Sequence, residues 1–80
     1  MINVYTTTSC GACSTVKMYL EMNGLVEGEH FNYINIDTNE EARNHITSQF
    51  SSVPVTEYNG EHILGFEVEE LDAFIEQVKS

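Results

Sequence analysis

The sequence has few positive charges, no tryptophan, one proline and no long apolar run. Three Lys and Arg residues stand against thirteen Asp and Glu residues, which gives a formal net charge of −10 at pH 7. Nucleic acids and anionic membrane surfaces are bound by clustered Lys and Arg, so we expect neither as a partner. No apolar run approaches the roughly 20 residues of a transmembrane helix, and residues 1–4 show no basic start of a secretory signal. We therefore expect a cytoplasmic protein.

The length and the cysteine content set further limits. A chain of 80 residues with 41% apolar residues predicts one ordered domain over residues 1–80. The two cysteines, Cys10 and Cys13, are fewer than a disulfide-stapled secreted domain normally carries. A bridge between residues so close in sequence closes almost no loop and restrains the unfolded chain little. A purely stabilising disulfide therefore explains this pair poorly.

The hydrophobic pattern predicts seven elements in the order β-α-β-α-β-β-α. Strands are expected over residues 2–6, 31–36, 53–58 and 61–64, and helices over 12–23, 39–48 and 67–79. Asn59-Gly60 between the last two strands is a strong hairpin signal, and Thr38 with Glu41 matches the capping-box pattern at the second helix. The first three elements form a βαβ unit, whose strands are parallel. The sequence predicts an α/β fold with a mixed four-stranded sheet covered by three helices.

Cys10 and Cys13 flank Gly11-Ala12 at the predicted junction of the first strand and the first helix. Side chains three residues apart share a helix face, so the two sulfurs can form a disulfide. The unpaired N–H groups and the dipole of a helix start favour a thiolate at Cys10, and thiolate is the nucleophile of disulfide exchange. Gly11 leaves the backbone accessible to a partner, and Ala12 adds no bulk. We expect Cys10 to attack and Cys13 to resolve the resulting mixed disulfide.

Other roles of the cysteine pair stay open at this point. The two residues could be inert core cysteines, or they could hold an iron–sulfur cluster between two chains. Zinc requires about four ligands, and His30, His45 and His62 form no compact ligand motif with the pair. We expect these histidines to be isolated surface groups and the protein to bind no metal. Pro54 within an apolar run is equally open, because a trans proline at a strand start and a cis proline both suit that position.

The order and spacing of these motifs resemble the glutaredoxin-like branch of the thioredoxin superfamily. The resemblance spans essentially the whole chain and rests on five segments: Tyr5-Thr6, Cys10-Gly11-Ala12-Cys13, Val53-Pro54-Val55, Asn59-Gly60 and Gly65-Phe66. It implies a thioredoxin fold, a cis Pro54 facing Cys10, and a Val53 backbone that pairs with the substrate. It also implies a monomeric thiol–disulfide oxidoreductase of cell redox homeostasis, without a bound cofactor, that reduces protein disulfides with electrons from an external donor.

The sequence departs from the glutaredoxin pattern at three places. Thr7 occupies a position where glutaredoxins typically carry lysine, Gly11-Ala12 replaces a frequent Pro-Tyr, and Leu64-Gly65 replaces a Gly-Gly pair that cradles glutathione. Each departure weakens the case for tight glutathione binding. Leu64-Gly65-Phe66 followed by an acid is more similar to NrdH-redoxins. That resemblance implies reduction by thioredoxin reductase and NADPH, with electrons passed to ribonucleotide reductase.

The resemblance thus implies substrate-binding roles for six residues around the cysteines: Gly11, Ala12, Val53, Pro54, Gly65 and Phe66. The electron donor, glutathione or thioredoxin reductase, stays open. Phe66 could be a core residue or a ring that faces the partner. The acidic residues of the last helix are most simply a solvated face, although they could also steer a basic partner. A non-enzymatic iron–sulfur carrier or interaction module on the same fold is the alternative function.

Overall fold

A computed structural model describes the whole chain, residues 1–80. Its elements are β1 (Ile2–Thr6), α1 (Gly11–Met22), β2 (Phe31–Asn35), α2 (Glu40–Thr47), β3 (Val55–Tyr58), β4 (Glu61–Leu64) and α3 (Val68–Lys79). The predicted order is confirmed, and the bounds of β1 and β4 agree with the prediction. The other five elements differ from the prediction by one or two residues at one end or at both. None of the helices is both long enough and apolar enough to cross a membrane.

The four strands form one mixed sheet, as predicted, and the structure shows their order in the sheet to be β2-β1-β3-β4. β1 is parallel to β2, and β3 is antiparallel to both β1 and β4. β1, β2 and β4 therefore all end at the same side of the sheet, with Thr6, Asn35 and Leu64 as their last residues. We call this side the carboxyl edge. The chain enters α1 just beyond Thr6, so the cysteine pair lies at the carboxyl edge.

The core has two parts because side chains alternate between the two faces of a strand. The larger cluster joins the sheet to α1 and α3, and its members are Ile2, Val4, Val16, Leu20, Leu25, Phe31, Ile63, Leu71, Phe74 and Ile75. The smaller cluster joins the other face to α2, and its members are Tyr5, Ile36, Ile46 and Val55. Two helices thus cover one face and a single short helix covers the other. This layering holds the start of α1 at the carboxyl edge.

The cap of α2 differs from the prediction. Asn39 is the N-cap, and its side-chain Oδ1 accepts a hydrogen bond from the Ala42 amide at 3.0 Å. Thr38 instead belongs to the turn after β2, because its amide and its hydroxyl both donate to the Asn35 carbonyl at 3.3 Å. The expected capping box of Thr38 and Glu41 is therefore wrong. Thr38 is held in the turn, so the N-cap is the next residue, Asn39.

Candidate active site

Cys10 and Cys13 lie together at the first turn of α1. Cys10 is the N-cap residue in an extended conformation, and its Sγ accepts a hydrogen bond from the Cys13 amide at 3.1 Å. The two residues are joined by a disulfide with their Cα atoms 5.3 Å apart. Cys13 is completely buried, whereas Cys10 is half-buried. A partner can therefore approach Cys10, while the sulfur of Cys13 lies behind it.

The surroundings of Cys10 on α1 favour negative charge on its sulfur. The first turn of α1 contains no acidic residue, so the positive end of the helix dipole is not offset there. A hydrogen bond to sulfur stabilises thiolate more than thiol. Gly11 and Ala12 are exposed, and a Cβ at Gly11 would meet no atom within 4 Å. Backbone and sulfur are thus open to an incoming disulfide.

The loop before Cys10 is fastened to the end of β2. The Thr8 amide donates to Oδ2 of Asp37 at 2.9 Å, and the Asn35 side-chain amide donates to the Thr8 hydroxyl at 3.2 Å. Asp37 therefore brings a carboxylate to the carboxyl edge. The sequence analysis did not single out Asp37, because the pairing of β1 with β2 creates this neighbourhood.

Lys17, the cation nearest to the pair in sequence, is engaged elsewhere. Its Nζ lies 3.1 Å from Oε1 of Glu27 and 5.0 Å from the centre of the Tyr33 ring. The hydrogen bond with Glu27 raises the pKa of Lys17. Lys17 therefore stays charged, and its ion pair holds it against Glu27.

The Val53-Pro54 segment reaches the carboxyl edge from the start of β3. Their peptide bond is cis, as the resemblance implied. Tyr5 pairs with Val55, so continuing this antiparallel register places Pro54 across from Thr6. Pro54 is buried, Val53 is half-buried, and neither the amide nor the carbonyl of Val53 makes a backbone hydrogen bond within the chain. Val53 thus has backbone groups available to an added strand.

The segment after β4 closes the same region. The Gly65 amide donates to the Pro54 carbonyl at 2.9 Å. Phe66 is 38% exposed, and its ring meets the Tyr19 ring edge-on with 5.7 Å between the centroids. The Tyr19 hydroxyl in turn donates to Asp72 of α3. Phe66 is therefore not a core residue, because its ring lies at the surface against α1.

A small groove extends from Thr7 to Val53 beside the cysteine loop. It has a volume of about 130 Å³ and is lined by Thr7, Ile36, Ile46, Thr47, Phe50, Ser51, Ser52 and Val53. Every one of these side chains is apolar or a hydroxyl. The groove therefore offers no cation to a carboxylate of a bound thiol, and Thr7 stands in it where glutaredoxins have lysine.

A cluster around Glu57, on the α2 face of the sheet, was missed from the sequence. Nε2 of His62 lies 2.8 Å and Nε2 of His45 lies 3.3 Å from Oε2 of Glu57. The Tyr5 hydroxyl donates to Oε1 at 3.3 Å. The expectation that His45 and His62 are isolated is therefore wrong. The hairpin at residues 59–60 could have paired Glu57 with His62, but only the packing of α2 brings in His45.

The cluster changes how two of its members titrate. Partial burial by itself raises the pKa of Glu57, but the hydrogen bonds from His45, His62 and Tyr5 outweigh it, so the net pKa is lowered. Burial, followed by the charge of Glu57 and the hydrogen bond to it, raises the pKa of Tyr5. At neutral pH the cluster thus holds a carboxylate and a neutral phenol. The structure has no group of three or more His, Cys, Asp and Glu side chains arranged to hold a metal ion.

Comparison with known proteins gives one family. The family model for glutaredoxin matches residues 2–63. A glutaredoxin-like 8.6 kDa protein in the rubredoxin operon of Clostridium pasteurianum is 33% identical over 79 residues, which cover 96% of this chain and 100% of that protein. The match therefore extends over nearly the whole length of both proteins.

Solved structures agree with the fold. The glutaredoxin-like NrdH-redoxin of Escherichia coli, described as having a thioredoxin-like activity profile, superimposes with a TM-score of 0.79. It is 27% identical, and the match covers 90% of this chain and 91% of that one. The glutaredoxin of Archaeoglobus fulgidus superimposes with a TM-score of 0.71 and 28% identity, over 92% of this chain and 84% of its own. The mixed sheet with three helices therefore matches the thioredoxin-like fold of these solved structures.

Proposed function

Because this chain belongs to the glutaredoxin family of the thioredoxin superfamily, we propose that it is a dithiol thiol–disulfide oxidoreductase acting on protein disulfides. The observation that supports this most is the arrangement of Cys10 and Cys13 at the start of α1. A half-buried sulfur receives a backbone hydrogen bond there, with a buried sulfur three residues away. That arrangement suits an attacking thiolate and a resolving thiol.

In the proposed reaction, the Cys10 thiolate attacks one sulfur of a substrate disulfide. The substrate S–S bond breaks, a mixed disulfide with Cys10 forms, and the other substrate sulfur leaves as a thiolate that takes up a proton. Cys13 then loses its proton and attacks Cys10, which releases the second substrate thiolate. Two electrons have passed to the substrate, and the protein is left with the Cys10–Cys13 disulfide. An external thiol or dithiol reductant then reduces that disulfide.

The residues around the pair are proposed to bind the substrate backbone. The free amide and carbonyl of Val53 can pair with an extended segment, as in addition of a strand to a sheet edge. Pro54 and Gly65, joined by their hydrogen bond, set the position of Val53. Gly11 and Ala12 are exposed beside the sulfur, and Phe66 is exposed just before α3 at the same edge of the sheet.

We propose thioredoxin reductase with NADPH, rather than glutathione, as the electron donor, and ribonucleotide reductase as a candidate acceptor. Support comes from Thr7 and the uncharged groove beside it, which give a glutathione carboxylate no cationic partner. The likeness to an NrdH-redoxin points the same way. A cytoplasmic location, a single domain over residues 1–80, a monomer and the absence of a bound cofactor complete the proposal.

The proposal is tested by supplying NADPH with thioredoxin reductase, or NADPH with glutathione and its reductase, to the oxidised protein and following NADPH oxidation. We expect sustained reduction of a protein disulfide with the first system and little with the second. Turnover with glutathione alone would contradict the proposed donor. Inertness with both systems would contradict the enzymatic function and favour an interaction module.

Two cysteine variants test the assigned roles in the same assay. Cys10→Ser should abolish turnover, because no attacking thiolate remains. Cys13→Ser should accumulate a mixed disulfide through Cys10, because the resolving thiol is absent, and mass spectrometry would detect the adduct. Dithiol activity retained by Cys10→Ser would refute the assignment.

A further inference from the structure

Three exposed apolar side chains lie at the carboxyl edge, the side of the sheet that also holds the cysteine pair. Leu64 is 52% exposed, Phe66 38% and Val68 40%. They follow one another from the end of β4 to the start of α3, just beyond the carboxyl edge. The bond from the Gly65 amide to the Pro54 carbonyl ties this segment to Val53-Pro54. We call Leu64, Phe66 and Val68 the edge patch.

Carboxylates flank the edge patch. Glu67 and Glu69 are exposed and alternate with its members along the chain. The side chain of Glu67 makes no capping hydrogen bond at the start of α3, so its carboxylate oxygens are available to a partner. Asp37, at the end of β2, lies at the other end of the same edge, because β2 and β4 are the outer strands of the sheet. An apolar surface with a negative rim, formed by Glu67 and Glu69, therefore lies at the edge of the sheet that holds Cys10.

The positive charges of the chain do not neutralise this rim. Lys17 is paired with Glu27. Lys79 is the last residue of α3, far from the edge patch, and its ammonium group lies beside Gly24. Arg43 is the remaining cation and lies midway along α2, on the other face of the sheet from α3. The carboxylates beside the edge patch are therefore not neutralised, and this surface is negatively charged, as is the whole chain with its net charge of −10.

We propose that the edge patch docks a segment of a target protein in which the disulfide is flanked by Lys or Arg and by apolar residues. This inference rests on the proposed oxidoreductase function and names the substrate class of that site. Burial of apolar area supplies attraction, and opposite charges across an interface speed encounter and exclude other partners. A second copy of this chain would bring the same carboxylates to the patch, so charge disfavours it as the occupant.

The inference is tested with disulfide-bonded peptides that are identical except for the residues flanking one cysteine, which are Lys, Gln or Glu. The reduced full-length protein is mixed with each peptide, and the second-order rate constant of reduction is measured at low and at high NaCl. Each rate is divided by the rate with dithiothreitol, a neutral dithiol, to remove the intrinsic reactivity of the peptide. We expect the Lys peptide to exceed the Glu peptide about tenfold or more at low salt. The ratio should fall at high salt because screening weakens the attraction.

A matched pair of variants locates the effect. The double variant Glu67→Gln/Glu69→Gln removes two carboxylates at the edge patch. The control Glu29→Gln/Glu76→Gln makes the same change in net charge at exposed positions away from the carboxyl edge, before β2 and in the last turns of α3. We expect the first variant to lower the Lys-to-Glu ratio about threefold or more, and the control to keep most of it.

The outcomes separate this inference from the proposed function. Reduction of all three peptides at equal normalised rates, or an equal loss of preference in both variants, would overturn the docking surface while leaving the oxidoreductase intact. Failure to reduce any peptide, including the Gln peptide, would refute the proposed function itself. A dimer in sedimentation that Phe66→Ser dissociates would also overturn the inference, because a second copy would then occupy the patch.

Discussion

The chemistry proposed for Cys10 depends on one hydrogen bond and on one side chain that carries no charge. The Cys13 amide reaches the Cys10 sulfur at 3.1 Å and so favours the thiolate. Thr7, which lines the neighbouring groove, offers only a hydroxyl. The negative charge of the whole protein opposes a further anion at Cys10. We therefore expect the start of α1 to be the main source of thiolate stabilisation in the reduced protein.

Thr7→Lys tests this account. A cation near the sulfur should raise the thiolate fraction of Cys10 at neutral pH about threefold, the factor expected for one charge about 6 Å away in water. The fraction is measured on the reduced protein from the ultraviolet absorbance of the thiolate and from the rate of alkylation. Gln77→Lys changes the net charge equally at the far end of α3 and should have a much smaller effect. Equal effects of the two lysines would contradict a local role for position 7.

The close approach of Cys10 and Cys13 could be predicted from the sequence because the two residues are only three positions apart. Three residues of helix place both sulfurs on one face wherever the helix lies. The position of Phe66 could not be assigned in this way. Whether its ring enters the core depends on how α3 packs on α1, and Tyr19 provides a surface contact for it instead.

Among the secondary-structure elements, α2 is the one whose stability depends most on the capping interactions at its ends. It has one fully buried residue, Ile46, supported by Ala42 and Phe50 at the edge of the smaller cluster. Its C-terminal part lines the groove beside Thr7 through Ile46 and Thr47. A short helix with so little core contact relies on its capping interactions, because packing alone contributes little.

The cap of α2 can be tested by two neighbouring substitutions. Asn39→Ala removes the acceptor of the Ala42 amide and should lower the free energy of unfolding by about 1 kcal/mol. Thr38→Ala removes only the 3.3 Å bond to the Asn35 carbonyl and should cost less. Urea unfolding at neutral pH measures both. A larger loss for Thr38→Ala would restore the cap assignment made from the sequence.

Four elements of the molecule meet at Glu57. This residue of β3 contacts Tyr5 of β1, His45 of α2 and His62 of β4. The cluster therefore joins the helix that lines the groove to the hairpin that follows Pro54. Its hydrogen bonds lie on the same face of the sheet as the smaller apolar cluster.

Glu57 should make the stability of the whole protein depend on pH. The net pKa of Glu57 is lowered from its ordinary value of 4.5, even though burial alone would raise it, because the bonds from His45, His62 and Tyr5 favour the carboxylate. The contribution of Glu57 to the free energy of unfolding is therefore present above pH 4.5, and it is lost as the pH falls through the lower pKa of the folded state.

Urea unfolding of wild type and Glu57→Gln at several pH values checks this expectation. The difference in unfolding free energy between them should be largest near neutral pH and should shrink in acid. Glu61→Gln, on the next strand of the same hairpin, forms none of these contacts and serves as the control. A difference that stays constant from neutral to acid pH would refute the role of ionised Glu57.

Local spacing in this chain was sufficient to predict the seven elements, the Asn59-Gly60 hairpin and the close approach of Cys10 and Cys13. Periodicity, turn residues and helix geometry act over a few residues, so they can be taken from the order of amino acids alone. The three positive charges against thirteen negative ones likewise needed no coordinates to argue against nucleic acids and anionic membranes.

Contacts between elements needed the tertiary structure. The meeting of His45 with Glu57, the surface position of Phe66 and the place of Asp37 beside the cysteine loop all join residues more than ten positions apart in the sequence or residues on different elements. Strand order and helix packing set such contacts, and they are decided by burial of the whole core rather than by any short segment. The same packing gathers the ends of three strands, the cysteines and the edge patch on one side of the molecule.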